Sequence, residues 1–160
     1  PLRLTYWKSV TYLSNRINTV SQVAEAETPV DASNLIGQCI KRLGSHDVNV
    51  IICCSGILSN LTCNNIKNKR LFVQLGGVDK MVRTVHRVSA GDGFRDDIVV
   101  PGLTALRHVT RERSVDDKEW TEEARKKSQT LIPSAIQLLE SQSWSAVKVS
   151  QISLTIYHNS

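Results

Sequence analysis

The chain repeats itself at a fixed spacing, and that repeat restricts what it can fold into more than any other feature. Leu13, Leu61, Val109 and Tyr157 stand 48 residues apart, and so do Val10, Leu58, Leu106 and Leu154. Ser14, Thr62, Thr110 and His158 follow in the same register. Two windows agree best, Ile57-Leu58-Ser59-Asn60-Leu61-Thr62 and Ala105-Leu106-Arg107-His108-Val109-Thr110. A supersecondary unit repeated at slightly more than ~40–47 residues has the period of helical solenoids, in which each unit buries its apolar face only against its neighbours.

The residues between the matches carry a helical pattern. Apolar side chains at 50, 51, 54, 57, 58 and 61 fall three and four apart, which predicts a long helix over Val48–Thr62. Ile98–Thr110 repeats it, with Pro101 expected in the first turn, where a missing N–H costs least. Asp47 and Asp96 are the expected N-caps. A short helix including Lys69–Leu75 should stop at Gly76-Gly77. Val78–Val88 should form the next, and Glu119–Leu131, Pro133–Glu140 and Ser145–Tyr157 repeat the order. Earlier helices are expected at Leu2–Ser14 and Asp31–Leu43. The stretch Asn18–Val30 should be a degraded helix, and Ser89–Arg95 a flexible loop. Each unit is then a short, a medium and a long helix, which is the armadillo repeat. The expected fold is all-α, a right-handed α-solenoid of armadillo repeats. Residues 1–15 would end one repeat, with further repeats at 16–62, 63–113 and 114–160. The chain opens inside one long helix and closes just after another, so a fragment of a longer solenoid is expected.

Composition narrows the function classes. Hydrophobic residues make up 41% and aromatics 5%, which suits a folded Leu/Val/Ile-rich chain. No apolar run reaches the ~20 residues of a membrane span, and no signal peptide is expected at the N-terminus. The net charge of +5 admits nucleic acid, anionic membrane or acidic protein segments as partners. Cys39, Cys53, Cys54 and Cys63 form no C-x-x-C pair and have no histidine at zinc spacing, so they read as buried apolar residues of a reducing compartment. No nucleophile–base pairing, phosphate loop or acid pair stands out, so neither catalysis nor a cofactor or metal is expected. Scarce aromatics also disfavour nucleic acid. Trp7, Trp120 and Trp144 are expected to be packing residues. Lys80, His86 and Arg87 should form an outer solvated face.

The stretch Gly56–Lys69, GILSNLTCNNIKNK, resembles the β-catenin family, which includes Armadillo and plakoglobin. Leu43–Val50, Gly76-Gly77-Val78-Asp79, Val82–Val85 and Pro101–Thr110 extend the resemblance in the family's order, and Trp144–Lys148 is a weaker echo. The resemblance implies that the long third helices line a basic superhelical groove for acidic, extended peptides. It implies cadherin tails, T-cell-factor transcription factors, Axin and the adenomatous polyposis coli protein as partners. It also implies a role in Wnt signalling as a coactivator, in cell adhesion, or in both, and a location in cytoplasm, nucleus and junctions. Matched residue by residue, Asn60 and Asn64 would bond the peptide backbone, and Lys69 would pair with a ligand acid. Arg107, His108 and Arg111 would line the following repeat, and Lys148 the one beyond. Glu112, Thr155-Ile156 and Tyr12 depart from the family's groove residues.

Each assignment has a structural alternative. Asn60 and Asn64 could bond their own helix end. Lys69, Arg107 and Lys148 could be solvated charges, and His108 a core histidine. An importin-α-like armadillo carrier, or another armadillo/HEAT interaction module, is the competing function. A carrier of basic peptides would need a tryptophan four residues before each groove asparagine. Gly56 and Thr104 stand at the corresponding positions.

Overall fold

The structure is a computed structural model that describes residues 32–89, 95–111, 115–133 and 136. Six α-helices occur among these residues: α1 (Ala32–Arg42), α2 (Val48–Thr62), α3 (Ile66–Gln74), α4 (Gly77–Ser89), α5 (Asp96–Thr110) and α6 (Lys118–Ser128). Short 3₁₀ turns, Val115–Asp117 and Gln129–Leu131, flank α6. The helix expected at Leu2–Ser14, the degraded stretch Asn18–Val30, residues 90–94 of the expected loop and the helix expected at Ser145–Tyr157 lie outside the described residues. Of the helix expected at Pro133–Glu140 only Pro133 and Ile136 are described, both helical.

Local chemistry sets most of the helix ends. Asp47 caps α2, its carboxylate accepting the Asn49 N–H at 2.9 Å. Asn65 does the same for α3, accepting the Asn68 N–H at 3.0 Å. Each bond satisfies one of the N–H groups that a helix start leaves without a partner. The chain reverses between α3 and α4 at Gly76, whose φ of +72° lies in the left-handed region that favours glycine.

Two expectations are corrected at α5. The helix begins two residues earlier than Ile98, at Asp96, and its cap residue is Arg95, without a side-chain capping bond. Asp96 and Asp97 instead occupy the first turn, where negative charge favours the helix dipole. Arg95 holds Asp97 through two bonds of 3.0 and 2.9 Å, and this pairing raises the Arg95 guanidinium above its ordinary range. Pro101 therefore lies inside the helix rather than in its first turn. The α6 segment also differs in detail, since the expected single helix to Leu131 tightens into 3₁₀ geometry after Ser128.

Packing follows the apolar stripes. The most extensive contact joins the two fifteen-residue helices, α2 and α5. Helix α1 packs on α2, α4 packs on α5, and α1 touches α4. This gives a layer of long helices backed by a layer of shorter ones. A single apolar core runs through both layers, from Ile36 and Leu43 through Leu58, Leu61, Phe72, Met81 and Val99 to Leu131. Trp120 joins it, as expected. Cys39 and Cys54 lie buried in it, while Cys53 and Cys63 are partly exposed. The hydrogen bond between Cys39 and Cys54, with burial adding to it, pushes the Cys39 thiol well above the ordinary thiol range, and the same bond pulls Cys54 below it.

The α4–α5 crossing depends on Gly102. A Cβ there would stand 2.9 Å from Val85 Cγ2 and 3.2 Å from Met81 Sδ, inside contact distance. Gly102→Val should therefore force the helices apart and destabilise the protein by ~1–3 kcal/mol, measured by urea unfolding. A stability equal to wild type would show that the crossing has slack.

Candidate peptide-binding face

The long helices bury most of their surface but not all of it. On α2 the half-exposed residues are Val50, Cys53, Ile57 and Asn60, spaced three and four apart along one side. On α5 they include Val100, Thr104, Arg107 and His108. Neighbouring residues Leu58, Leu61, Leu106 and Val109 are buried. The two accessible stripes lie side by side because α2 and α5 pack together. Together they form a floor that is apolar along its length and polar at one end.

A hydrogen bond fixes that polar end. Thr62 Oγ1 and His108 Nδ1 are 3.2 Å apart, joining the C-terminal turns of α2 and α5. The same hydroxyl sits 2.9 Å from the Leu58 carbonyl and 3.1 Å from that of Ser59, so its position is set by its own helix. The imidazole is half-buried, with one ring nitrogen committed to this contact. Beside it, Arg107 is half-exposed and Arg111 exposed. Neither forms an ion pair among the described residues.

The sequence candidates do not all meet here. Asn60, Arg107, His108 and Arg111 gather at the C-terminal ends of the long helices. Asn64 is exposed just beyond α2, with a φ of 55°. That left-handed conformation suits asparagine at the residue after a helix cap, so Asn64 helps to end α2 as well as facing solvent. Lys69 is placed differently from a surface charge, since it is buried in α3 at 2% exposure. Lys148 lies outside the described residues. A depression of about 580 Å³ lined by Asp116, Lys118, Glu119, Glu122, Glu123 and Lys126 involves none of these candidates. Its four acids against two lysines give it the wrong sign for an acidic ligand.

Sequence reasoning passed over three residues that build this end of the molecule. Thr62 stands in the 48-residue register, and that register does not mark its bond to His108. Asn68 donates from Nδ2 to the Leu61 carbonyl at 2.9 Å, and Arg125 donates from Nε to the Thr110 carbonyl at 3.0 Å. In both cases the helix after a long helix caps its C-terminal carbonyls. No spacing in the sequence marks these bonds, because each crosses a loop. Thr62→Val keeps the shape of the side chain and removes its link to His108. It should cost about 1 kcal/mol in urea unfolding, and no change would mean that the contact contributes nothing net.

Comparison with known proteins places this geometry in a family. No family model matches the chain. The Armadillo segment polarity protein of Drosophila melanogaster is 45% identical over 107 residues, 66% of this chain. The Musca domestica protein of the same name is 42% identical over 113 residues, 70% of the chain. Catenin beta of Urechis caupo is 41% identical over 99 residues, 61% of the chain. The aligned parts make up only 12–13% of those relatives' own lengths. One solved structure, described as showing a conserved phosphorylation switch that controls the interaction between cadherin and beta-catenin, superposes with a TM-score of 0.69 at 26% identity. It covers 91% of this chain and 26% of its own. The stacked helices are thus an armadillo solenoid, and the chain belongs to the β-catenin family.

Proposed function

We propose that the α2–α5 face binds an extended acidic peptide, and that the chain serves as a non-catalytic scaffold. The observation that carries this reading is the pair of adjacent half-exposed stripes ending in Asn60, Arg107 and His108, with the helix ends tied together by Thr62. The apolar part of the floor offers contact to ligand side chains. Asn60 offers an amide donor and acceptor, which can pair with a peptide backbone whatever its sequence. Arg107 and Arg111 supply guanidinium groups, whose planar forks match carboxylates. Asn64 extends the row beyond α2.

Lys69 enters this scheme on a condition. Its buried ammonium reaches a ligand acid only if its cover shifts, and the pair so formed would be poorly screened. Lys148 would extend the face by one repeat. Separate surface contacts of this kind contribute ~0–1 kcal/mol each, so affinity must accumulate along a long ligand. Positive charge then acts mainly on encounter rate and on choice of partner.

A scaffold role in adhesion or signalling follows from the family. Cadherin tails are the first partner class to test, because the solved neighbour concerns a cadherin interaction. T-cell-factor proteins, Axin and the adenomatous polyposis coli protein are further proposals, as is a Wnt coactivator role divided among cytoplasm, junctions and nucleus. The proposed repeats divide at residues 16, 63 and 114.

Arg107→Glu should weaken binding of an acidic cadherin-tail peptide by about tenfold, measured by fluorescence anisotropy. Lys69→Met, which keeps the bulk of the stem, should weaken it less if the buried ammonium is only partly recruited. Unchanged affinity in Arg107→Glu would sink the assignment of this face.

A further inference from the structure

Positive charge also collects on the opposite side of the long-helix layer. Helix α4 turns Val78, Met81, Val82 and Val85 into the core. Lys80, Arg83 and Arg87 are left on its outer side, three and four residues apart. Arg83 and Arg87 are exposed and Lys80 is half-buried. Helix α1 ends beside them in Lys41 and Arg42, both exposed.

Contacts at one turn hold two of these five cations, Lys80 and Arg87, against the end of α1. The Leu43 carbonyl accepts bonds from Arg87 Nη2 at 3.1 Å and from Thr84 Oγ1 at 3.3 Å. Lys80 Nζ lies so near Gly44 that a Cβ there would stand 2.8 Å from it. Arg87 and Lys80 thus have a structural duty at the C-terminal end of α1, where cations suit the helix dipole. Lys41, Arg42 and Arg83 have no such contact among the described residues. Two acids close to them in the sequence are occupied: Asp79 pairs with Lys127 at 3.0 Å, and Asp47 caps α2. None of the five cations joins an ion pair among the described residues.

We propose that the outer face of α1 and α4 is a second ligand surface, taking an extended peptide with carboxylates on alternate residues. Steps of three and four residues on a helix place Lys80, Arg83 and Arg87 about 4.5 and 6 Å apart along its axis. An extended chain presents side chains to one side every ~6.6–6.8 Å, within reach of flexible lysine and arginine stems. Neither helix contains a Phe, Tyr or Trp, the rings that form stacking platforms for nucleic acid bases. Neither carries a large exposed apolar side chain that could anchor it in a lipid interface. The surface is separated from the α2–α5 face by the long helices themselves, so the two can be tested apart.

The probe is a fluorescein-labelled peptide of alternating Glu and Ser, titrated at low salt against the whole chain. The variants are Arg107→Glu, Lys41→Glu with Arg83→Glu, and all three changes together. Binding should persist in Arg107→Glu and fall about tenfold further when the outer pair is reversed. Loss of all binding in Arg107→Glu alone, or no further loss in the triple variant, would overturn the proposal. So would tighter binding of an oligo-dT strand or of phosphatidylserine vesicles than of the peptide. Thermal melts should match wild type because the changed outer residues are exposed. If a reversed variant melts early, Lys41→Gln with Arg83→Gln decides the matter, with a smaller loss expected and no loss counting against the outer surface. Failure of the α2–α5 reading appears separately, as equal affinities of wild type and Arg107→Glu.

Discussion

The burial of α2 against α5 is the contact on which the rest of this structure depends. Each helix carries more apolar surface than a lone amphipathic helix can hide, with Ile51, Leu58 and Leu61 on one and Ile98, Leu106 and Val109 on the other. Burying such side chains contributes roughly 1.5–3 kcal/mol apiece, against the entropy of ordering them. Because the same spacing recurs every 48 residues, the contact is made between equivalent helices. The accessible remainder of each helix therefore lines up with that of its neighbour. Packing and the ligand surface are two sides of one periodic pattern.

That explains why the fold was legible. The register from Leu58 to Leu106 and from Thr62 to Thr110 implied equivalent long helices, and the intervening apolar spacing implied the shorter ones. Capping at Asp47 and the stop at Gly76 could be read because both rest on residues adjacent in the chain. Asp96 resembles a cap in sequence but lies in the first turn of α5. Sequence alone does not say whether an acid before an apolar run caps the helix or sits in its first turn. Here the Arg95 carbonyl accepts the Val99 N–H at 2.9 Å, which makes Arg95 the cap and Asp96 the first helical residue.

The candidate site was legible in part. The matched motif led to Asn60, Arg107 and His108, and these share one end of the long-helix layer. The burial of Lys69 could not be read, because a lysine in a short helix looks the same in sequence whether its stem points to solvent or into the repeat. Thr62 was equally opaque as an anchor for His108, since the partners are far apart in the chain. What a linear pattern conveys is which face a residue shares. It does not convey which group on the next element will meet it.

The caps at the ends of the long helices carry a consequence for how this solenoid divides. One carbonyl in the last turn of each long helix, Leu61 of α2 and Thr110 of α5, is satisfied by Asn68 and Arg125, each of which belongs to the helix that follows. The hydrogen-bonded unit is therefore out of phase with the unit that repeats. A boundary drawn at the end of a long helix, where the sequence register would place it, strips that helix of its closing bond. A boundary drawn after the next short helix keeps the bond. Recombination, insertion or truncation in such an array should be tolerated best at the second kind of junction, one helix later than the letters of the repeat suggest.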